Sequence, residues 1–291
     1  MTGSIVVEHA PAKINLTLEV LGRRADGYHE LASLVVFARD AADTLTIDQS
    51  RPPSLSVSGL FGTAIEGTNI VSRAVDALGS AGVPVGAVEL DKRLPIAAGI
   101  GGGSADAAAL IRAVRRAVGH WDGRVPWEDI AQGLGADVPV CLAQRPAWMR
   151  GAGECVDEIV PFPVLYAVLV NPQAIVPPDK TARVFRALGL TPGARLATGG
   201  ADQSAFGSAH DVIAFVRKHS NALTEPACSI VPAIRDVLAA LEATVGCRVA
   251  RMSGAGPTCF GIFDDLAGAA GAARELEVSH PSWWVQATHL Y

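Results

Sequence analysis

A chain of 291 residues, 49% of them hydrophobic, can bury one large core or two medium ones, and two domains is the expectation. Its formal net charge of -5 carries no basic surplus of the kind that binds nucleic acid, so the expected partner is a small molecule and no nucleic acid. Cys141, Cys155, Cys228, Cys247 and Cys259 are odd in number, scattered and without a C-x-x-C pair, which excludes a disulfide frame or zinc site and predicts reduced, mostly buried thiols.

At the N-terminus no basic stretch precedes an apolar one, and no apolar run reaches the roughly 18 residues of a membrane span, so a cytoplasmic protein with no membrane partner is expected. Residues 5–21 alternate through Ile14, Leu16, Leu18 and Val20 at the period of a half-buried strand, and 31–37 and 45–47 read as further strands. Thr68 is the expected N-cap of a helix with Ile70, Val71, Ala74, Val75 and Leu78 on one face, ending near Gly79 and Gly82. A strand at 88–90 leads into P-I-A-A-G-I-G-G-G-S-A-D at 95–106. A helix follows, with Ala107, Leu110, Ile111, Val114 and Val118 inward and Arg112, Arg115 and Arg116 on a solvated face.

Another helix starts at Pro126 and runs toward Leu134, and P-F-P at 161–163 marks the expected domain boundary. Beyond it the pattern predicts helices at 181–188, 209–218, 230–243 and 266–276, with strands at 164–170, 248–252, 258–263 and 284–288. A loop is expected at 196–208. Helices and strands mix without strict alternation, which is the pattern of an α+β fold.

Three segments carry candidate chemistry. The glycine run comprises Pro95, Ile96, Ala97, Ala98, Gly99, Ile100, Gly101, Gly102, Gly103, Ser104 and Ala105. Its glycines permit close backbone approach, and the following helix offers unpaired amides to an anion, so it is either a phosphate cradle or a tight strand-to-helix turn. It lacks the Lys-Ser/Thr of a Walker A loop and the third glycine of a dinucleotide fingerprint.

The second segment is P-A-K-I-N at 11–15 with A-D-G-Y-H-E-L at 25–31. Lys13 and Asn15 share one side of an alternating strand, opposite Ile14 and Leu16. Tyr28 and His29 follow the turn residue Gly27, where they either close a hairpin or stack on a flat ligand. The third segment is L-G-A-D-V-P at 134–139 with S-G-A-G-P-T at 253–258. There Asp137 is a helix cap or a functional carboxylate, and 253–256 is a connection or a second phosphate-approaching loop.

In this order the segments resemble the three motifs of the GHMP kinases, and the D-G-Y-H at 26–29 is similar to the members that act on 4-diphosphocytidyl-2-C-methyl-D-erythritol. The family's loop is usually glycine-richer after the proline, where this chain has Ala97 and Ala98. The resemblance implies a two-domain GHMP kinase architecture. Residues 1–160 would form an N-terminal ribosomal protein S5 domain 2-like domain and 161–291 a C-terminal ferredoxin-like domain, with ATP and acceptor in the cleft between them.

It further implies transfer of the γ-phosphoryl of ATP to the 2-hydroxyl of that acceptor, with Mg²⁺ arriving on ATP and no dedicated protein metal site. Residues 95–105 would wrap the phosphates, Asp137 would take the hydroxyl proton, and Lys13 would hold the hydroxyl and the carboxylate. Asn15, Tyr28, His29 and Phe185 would contact the acceptor. The alternatives are another GHMP kinase, acting on homoserine, mevalonate, phosphomevalonate or a sugar, or a non-catalytic nucleotide-binding relative.

Overall fold

Period-two alternation near the N-terminus builds β1 (Ile5–Asn15) and β2 (Glu19–Arg23), followed by the long β3 (His29–Asp48). The computed structural model describes residues 5–64, 69–119, 123–196 and 206–291. The single strand expected over 5–21 is therefore two, and the two expected at 31–37 and 45–47 are one. Asp43 made the pattern look broken. It is fully buried within β3, its carboxylate accepting from Lys92 Nζ and from the amides of Arg93 at 2.5 Å and Leu94 at 2.8 Å.

After β4 (Ser54–Ser58) comes α1 (Ile70–Ser80). Its expected cap, Thr68, lies outside the described residues. Asn69 caps the helix, accepting from the Ser72 amide at 2.9 Å while Ser72 Oγ accepts from the Asn69 amide, a reciprocal capping box. The chain continues through β5 (Ala87–Asp91), α2 (Gly102–Ala117), α3 (Trp127–Leu134) and α4 (Val138–Ala143), then β6 (Ala147–Gly151), β7 (Cys155–Glu158) and β8 (Leu165–Asn171). The remainder is α5 (Lys180–Arg186), α6 (Ala209–Lys218), α7 (Thr224–Ile230), α8 (Ala233–Ala243), β9 (Val249–Met252), β10 (Cys259–Phe263), α9 (Leu266–Ser279) and β11 (Trp284–Leu290).

The helix expected over 230–243 stands as α8, which starts only at Ala233 because Pro232 has no amide to continue a ladder from α7, a helix the pattern did not predict. β4, α4, β6 and β7 had no counterpart in the sequence pattern. Each is only four to six residues long, too short to set a period of its own. Of the 196–208 loop, residues 197–205 lie outside the described ones. Cys141, Cys228 and Cys259 are buried as expected, Cys247 is partly so, and Cys155 is exposed; none of the five is in a disulfide. No helix among the described residues is long and apolar enough to cross a membrane.

Backbone contacts divide the chain into two compact units. The first holds Met1–Ala12, Ala41–Ile96 and Gly101–Gln144, and the second Lys13–Asp40, Ala97–Ile100 and Arg145–Tyr291. In the first unit β5 pairs antiparallel with β3, Leu45 opposite Leu90, and parallel with β4. Against this lies α2, buried over every residue from 105 to 111. The alanines at 105, 107, 108 and 109 leave room for α1, α3 and α4 to close around it. Of the arginines expected to be solvated, Arg112 is instead drawn in, donating to Cys141 O at 2.7 Å and to Glu8 at 3.3 Å, since Glu8 is itself buried.

The second unit carries an antiparallel sheet in the order β3-β11-β8-β10-β9, with β2 and β6 also paired to β3 and β7 to β6. α8 and α9 pack on this sheet, and Val168, Val170, Val237, Leu241, Met252, Phe263 and Leu276 share its core.

One ionic group of the first unit fixes the start of α2. Lys92, 3% exposed, donates to Asp43 and, at 2.7 Å, to Asp106 in the second turn of that helix. Burial alone would lower the pKa of Lys92, but Asp106 and Asp43 outweigh it and hold the ammonium above its usual value. Burial pushes the Asp106 carboxyl well above the carboxylate range; Asp43 adds to this and Lys92 opposes it. Removing the cation leaves two buried carboxylates facing each other.

Lys92→Met should therefore lower the unfolding free energy by about 3–5 kcal/mol at pH 7. Without Lys92 the Asp106 pKa rises further, so the variant's native state takes up a proton at a higher pH than the wild type does. The deficit should then shrink as the pH falls toward about 5. Urea unfolding of both proteins at the two pH values measures it.

Candidate active site

The glycine run and the distant 253–258 segment meet within the second unit. Ala97 and Gly99 have left-handed φ of 52° and 77°, and Gly254 and Gly256 have 52° and 67°. The two backbones touch. A Cβ on Gly99 would lie 2.7 Å from the Gly256 amide nitrogen and from Ser253 O, and one on Gly254 would lie 2.5 Å from Gly99 O. Only glycine gives both this conformation and this approach.

Four consecutive carbonyls of the run are held. Ala97 O accepts from Lys180 Nζ at 2.9 Å, Ala98 O from the Thr258 amide at 3.1 Å, Gly99 O from Ser253 Oγ at 3.1 Å, and Ile100 O from the Lys13 amide at 2.9 Å. A trans peptide sets its N–H opposite its C=O, so the amides that follow these carbonyls are turned away from their partners. From Gly99 to Ser104 no amide donates to another described residue. Unpaired amides ahead of a helix are donors of the kind that can hold an anion.

The 253–258 segment is itself braced. Asn221 Nδ2 donates to Met252 O and Gly254 O, both at 2.8 Å, and Asn171 Nδ2 donates to Thr258 Oγ1 at 2.9 Å. Lys180 Nζ also donates to Gly256 O. Burial lowers the Lys180 pKa to about 8.

Lys13 and Asn15, at the end of β1, are both buried, at 4% and 3% exposure, although the alternation placed them opposite the equally buried Ile14 and Leu16. Asn15 reaches the same bracing. Its amide donates to Ser253 Oγ at 3.1 Å and its Nδ2 to Ser33 Oγ at 2.7 Å. Asn15 Oδ1 is buried with no hydrogen-bond partner among the described residues, so it is an acceptor available to a ligand hydroxyl. In the first unit, Asp137 sits at the N-cap position of α4 yet makes no side-chain capping bond. The cap alternative raised by the sequence therefore does not account for its carboxylate.

Tyr28 and His29 do close a hairpin. The Arg24 amide donates to Tyr28 O at 2.7 Å, and Gly27 takes φ 92°. Tyr28 is 65% exposed, while the His29 ring stacks on Phe185 of α5 with centroids 4.8 Å apart. Two rings at that distance leave no room for a third between them. Burial, then the charge of Arg23, lowers the His29 pKa, so the ring is neutral at pH 7 and offers both a donor and an acceptor.

The structure thus joins Lys13, Asn15 and 97–100 to 253–258, and His29 to Phe185. Lys180, Asn171, Asn221 and Ser33 were missed by sequence reasoning. Lys180 did leave a signal, since a lysine in the first turn of a helix opposes the macrodipole and needs another reason to be there. The asparagines left none.

The family model described as the GHMP kinases N terminal domain matches residues 69–145, and that of the GHMP kinases C terminal matches 209–280. The chain is 46% identical over 293 residues to a 4-diphosphocytidyl-2-C-methyl-D-erythritol kinase of Methylobacterium radiotolerans, covering 99% of each chain. Among solved structures it resembles a 4-(cytidine 5'-diphospho)-2C-methyl-D-erythritol kinase at 32% identity, with a TM-score of 0.75 over 98% of this chain and 99% of that one. A homoserine kinase from Cytophaga hutchinsonii shares the fold at 17% identity, with a TM-score of 0.68 over 99% and 95% of the two chains.

The glycines of the run are not equivalent. A Cβ on Gly102 would meet Lys92 Nζ at 3.6 Å and Leu94 at 3.7 Å, which is ordinary contact, whereas one on Gly99 meets backbone at 2.7 Å. Gly99→Ala should cost about 1–3 kcal/mol from the left-handed conformation alone, with the overlap added. Gly102→Ala should cost under about 1 kcal/mol, because alanine is favoured over glycine in a helix. Chemical unfolding of the two variants tests the contrast; equal losses would mean that the segments do not interlock.

Proposed function

The chain belongs to the GHMP kinase family, and from that premise we propose that it transfers the γ-phosphoryl of ATP to the 2-hydroxyl of 4-diphosphocytidyl-2-C-methyl-D-erythritol, a step of the non-mevalonate (MEP) isoprenoid pathway. The observation that carries the kinase chemistry is the 97–100 segment, with its carbonyls engaged and the amides from Gly99 to Ser104 donating to no described residue. The acceptor is supported by full-length likeness to chains bearing that name and by the D-G-Y-H hairpin. The proposed functional halves, 1–160 and 161–291, each contain one of the two family matches.

Phosphoryl transfer asks a protein for position and charge more than for covalent chemistry. Residues 95–105 bind the ATP phosphates, with Ser104 adding a hydroxyl at the start of α2. Asp137 accepts the proton of the attacking hydroxyl, and Lys13 orients that hydroxyl. Asn15 Oδ1 accepts from a second hydroxyl of the acceptor. Tyr28 supplies a ring for the cytosine, while His29 hydrogen-bonds its edge, with Phe185 acting through His29 as a brace. Mg²⁺ would arrive with ATP and would supply charge neutralisation of the phosphates there.

ADP formation should require the diphosphocytidyl acceptor and should not be supported by homoserine or mevalonate. Asp137→Asn keeps the size and removes the base, and it should lower kcat by about 10² to 10⁴ with little change in ATP affinity. A variant retaining more than about a third of wild-type kcat would leave Asp137 a structural residue. Tyr28→Ala should raise the KM for the acceptor by about 5- to 150-fold and leave ATP affinity nearly unchanged. Equal turnover of an acceptor without a base would show the acceptor misassigned.

A further inference from the structure

Lys180 stands outside these roles, yet it is 2% exposed and its ammonium ends on backbone carbonyls from both interlocked segments, Ala97 O and Gly256 O. Among the described residues no carboxylate pairs with it. Lysine is almost never fully buried unless paired, so such a position calls for a reason other than packing. Two carbonyl dipoles satisfy hydrogen bonds but leave a full positive charge uncancelled beneath the glycine run. Coulomb interactions there are screened far less than at the surface.

We propose that Lys180 is a positioning residue for the nucleotide: it clamps residues 97–100 to 253–257 so that the amides of the glycine run face outward, and its uncancelled charge attracts the polyphosphate they hold. This rests on the reading of 95–105 as the phosphate cradle. Phosphate itself is not required to touch Lys180. The lysine works through the carbonyl of Ala97, whose peptide turns the Ala98 amide to the opposite side.

The surroundings of Lys180 make the idea measurable. Residues 97–100 and 253–258 carry no ionisable side chain. On α5, Asp179 pairs with Arg183 and Arg186. On α7, packed against α5, Glu225 pairs with Arg235, and burial pushes the Cys228 thiol up. β1 brings Lys13 to the segment through its amide bond to Ile100. A buried ammonium that titrates at about 8 is half deprotonated at that pH. An anion binding close by favours the charged form and must therefore draw in a proton.

Calorimetric titration of the full chain with Mg-ATP at pH 8, in two buffers of different ionisation enthalpy, reads this directly. Wild type should take up as much as about half a proton per ATP bound. Lys180→Met should abolish that uptake and weaken ATP binding by about tenfold. Lys180→Arg, which keeps a charge that does not titrate in this range, should recover most of the affinity and show no uptake.

A purely structural lysine would change the melting temperature but not the proton count. Absence of uptake in the wild type overturns the inference even if the methionine variant fails to fold. So does uptake that persists in Lys180→Met, since it then belongs to another group. Failure of the folded wild type to bind ATP at all would overturn the cradle reading, and the role of Lys180 with it.

Discussion

The carbonyls of residues 97–100 carry the organisation of the candidate site. A backbone run that offers its amides to an anion must place its carbonyls somewhere, and a buried carbonyl without a donor costs about 1–3 kcal/mol. Here Lys180, Thr258, Ser253 and Lys13 each supply one donor. Two of these are backbone amides, one a hydroxyl and one an ammonium, so the segment is gripped by groups drawn from three distant parts of the sequence. The braces on 253–258 from Asn171 and Asn221 follow from the same need, because a loose partner could not hold the run.

A second buried polar group does corresponding work in the other unit. Lys92, Asp43 and Asp106 tie β3, the end of β5 and the second turn of α2 together with almost no exposure to water. Buried ion groups of this kind are weak contributors to net stability but costly to break, so they select one arrangement over its neighbours. Asp106 Oδ1, buried with no hydrogen-bond partner among the described residues, agrees with the upward shift of that carboxyl: the site holds more negative charge than one lysine can neutralise.

What could be read from the sequence was whatever announces itself locally. The glycine run, the strand position of Lys13 and Asn15, the Gly27 turn and most helices after residue 160 are set by neighbours within a few residues, and they stand where the pattern put them. The continuity of β3 was hidden because a charged residue in a strand looks like a surface break. Asp43 belongs inside only by virtue of Lys92, which is 49 residues away. Asn171 and Asn221 were hidden for the same reason, since their roles exist only once residues 97–100 and 253–258 are in contact, and Lys180 showed only as a cation out of place in the first turn of α5. The stacking of His29 on Phe185 joins positions far apart in the chain, and no periodicity encodes it.

The contact between Gly99 and Gly254 has a genetic corollary. The space of Gly254's missing side chain is filled by the Gly99 backbone, and that of Gly99 by the backbone of Ser253 and Gly256, with φ of 77° at Gly99 and 52° at Gly254. A clash in a packed core can be relieved by trimming the opposing side chain. Here the opposing group is main chain, and no residue is smaller than glycine. A suppressor of a substitution at Gly99 cannot come from position 254, nor the reverse, and any relief would have to move a whole loop. The two segments are therefore expected to drift, if at all, by insertion or deletion rather than by paired replacement.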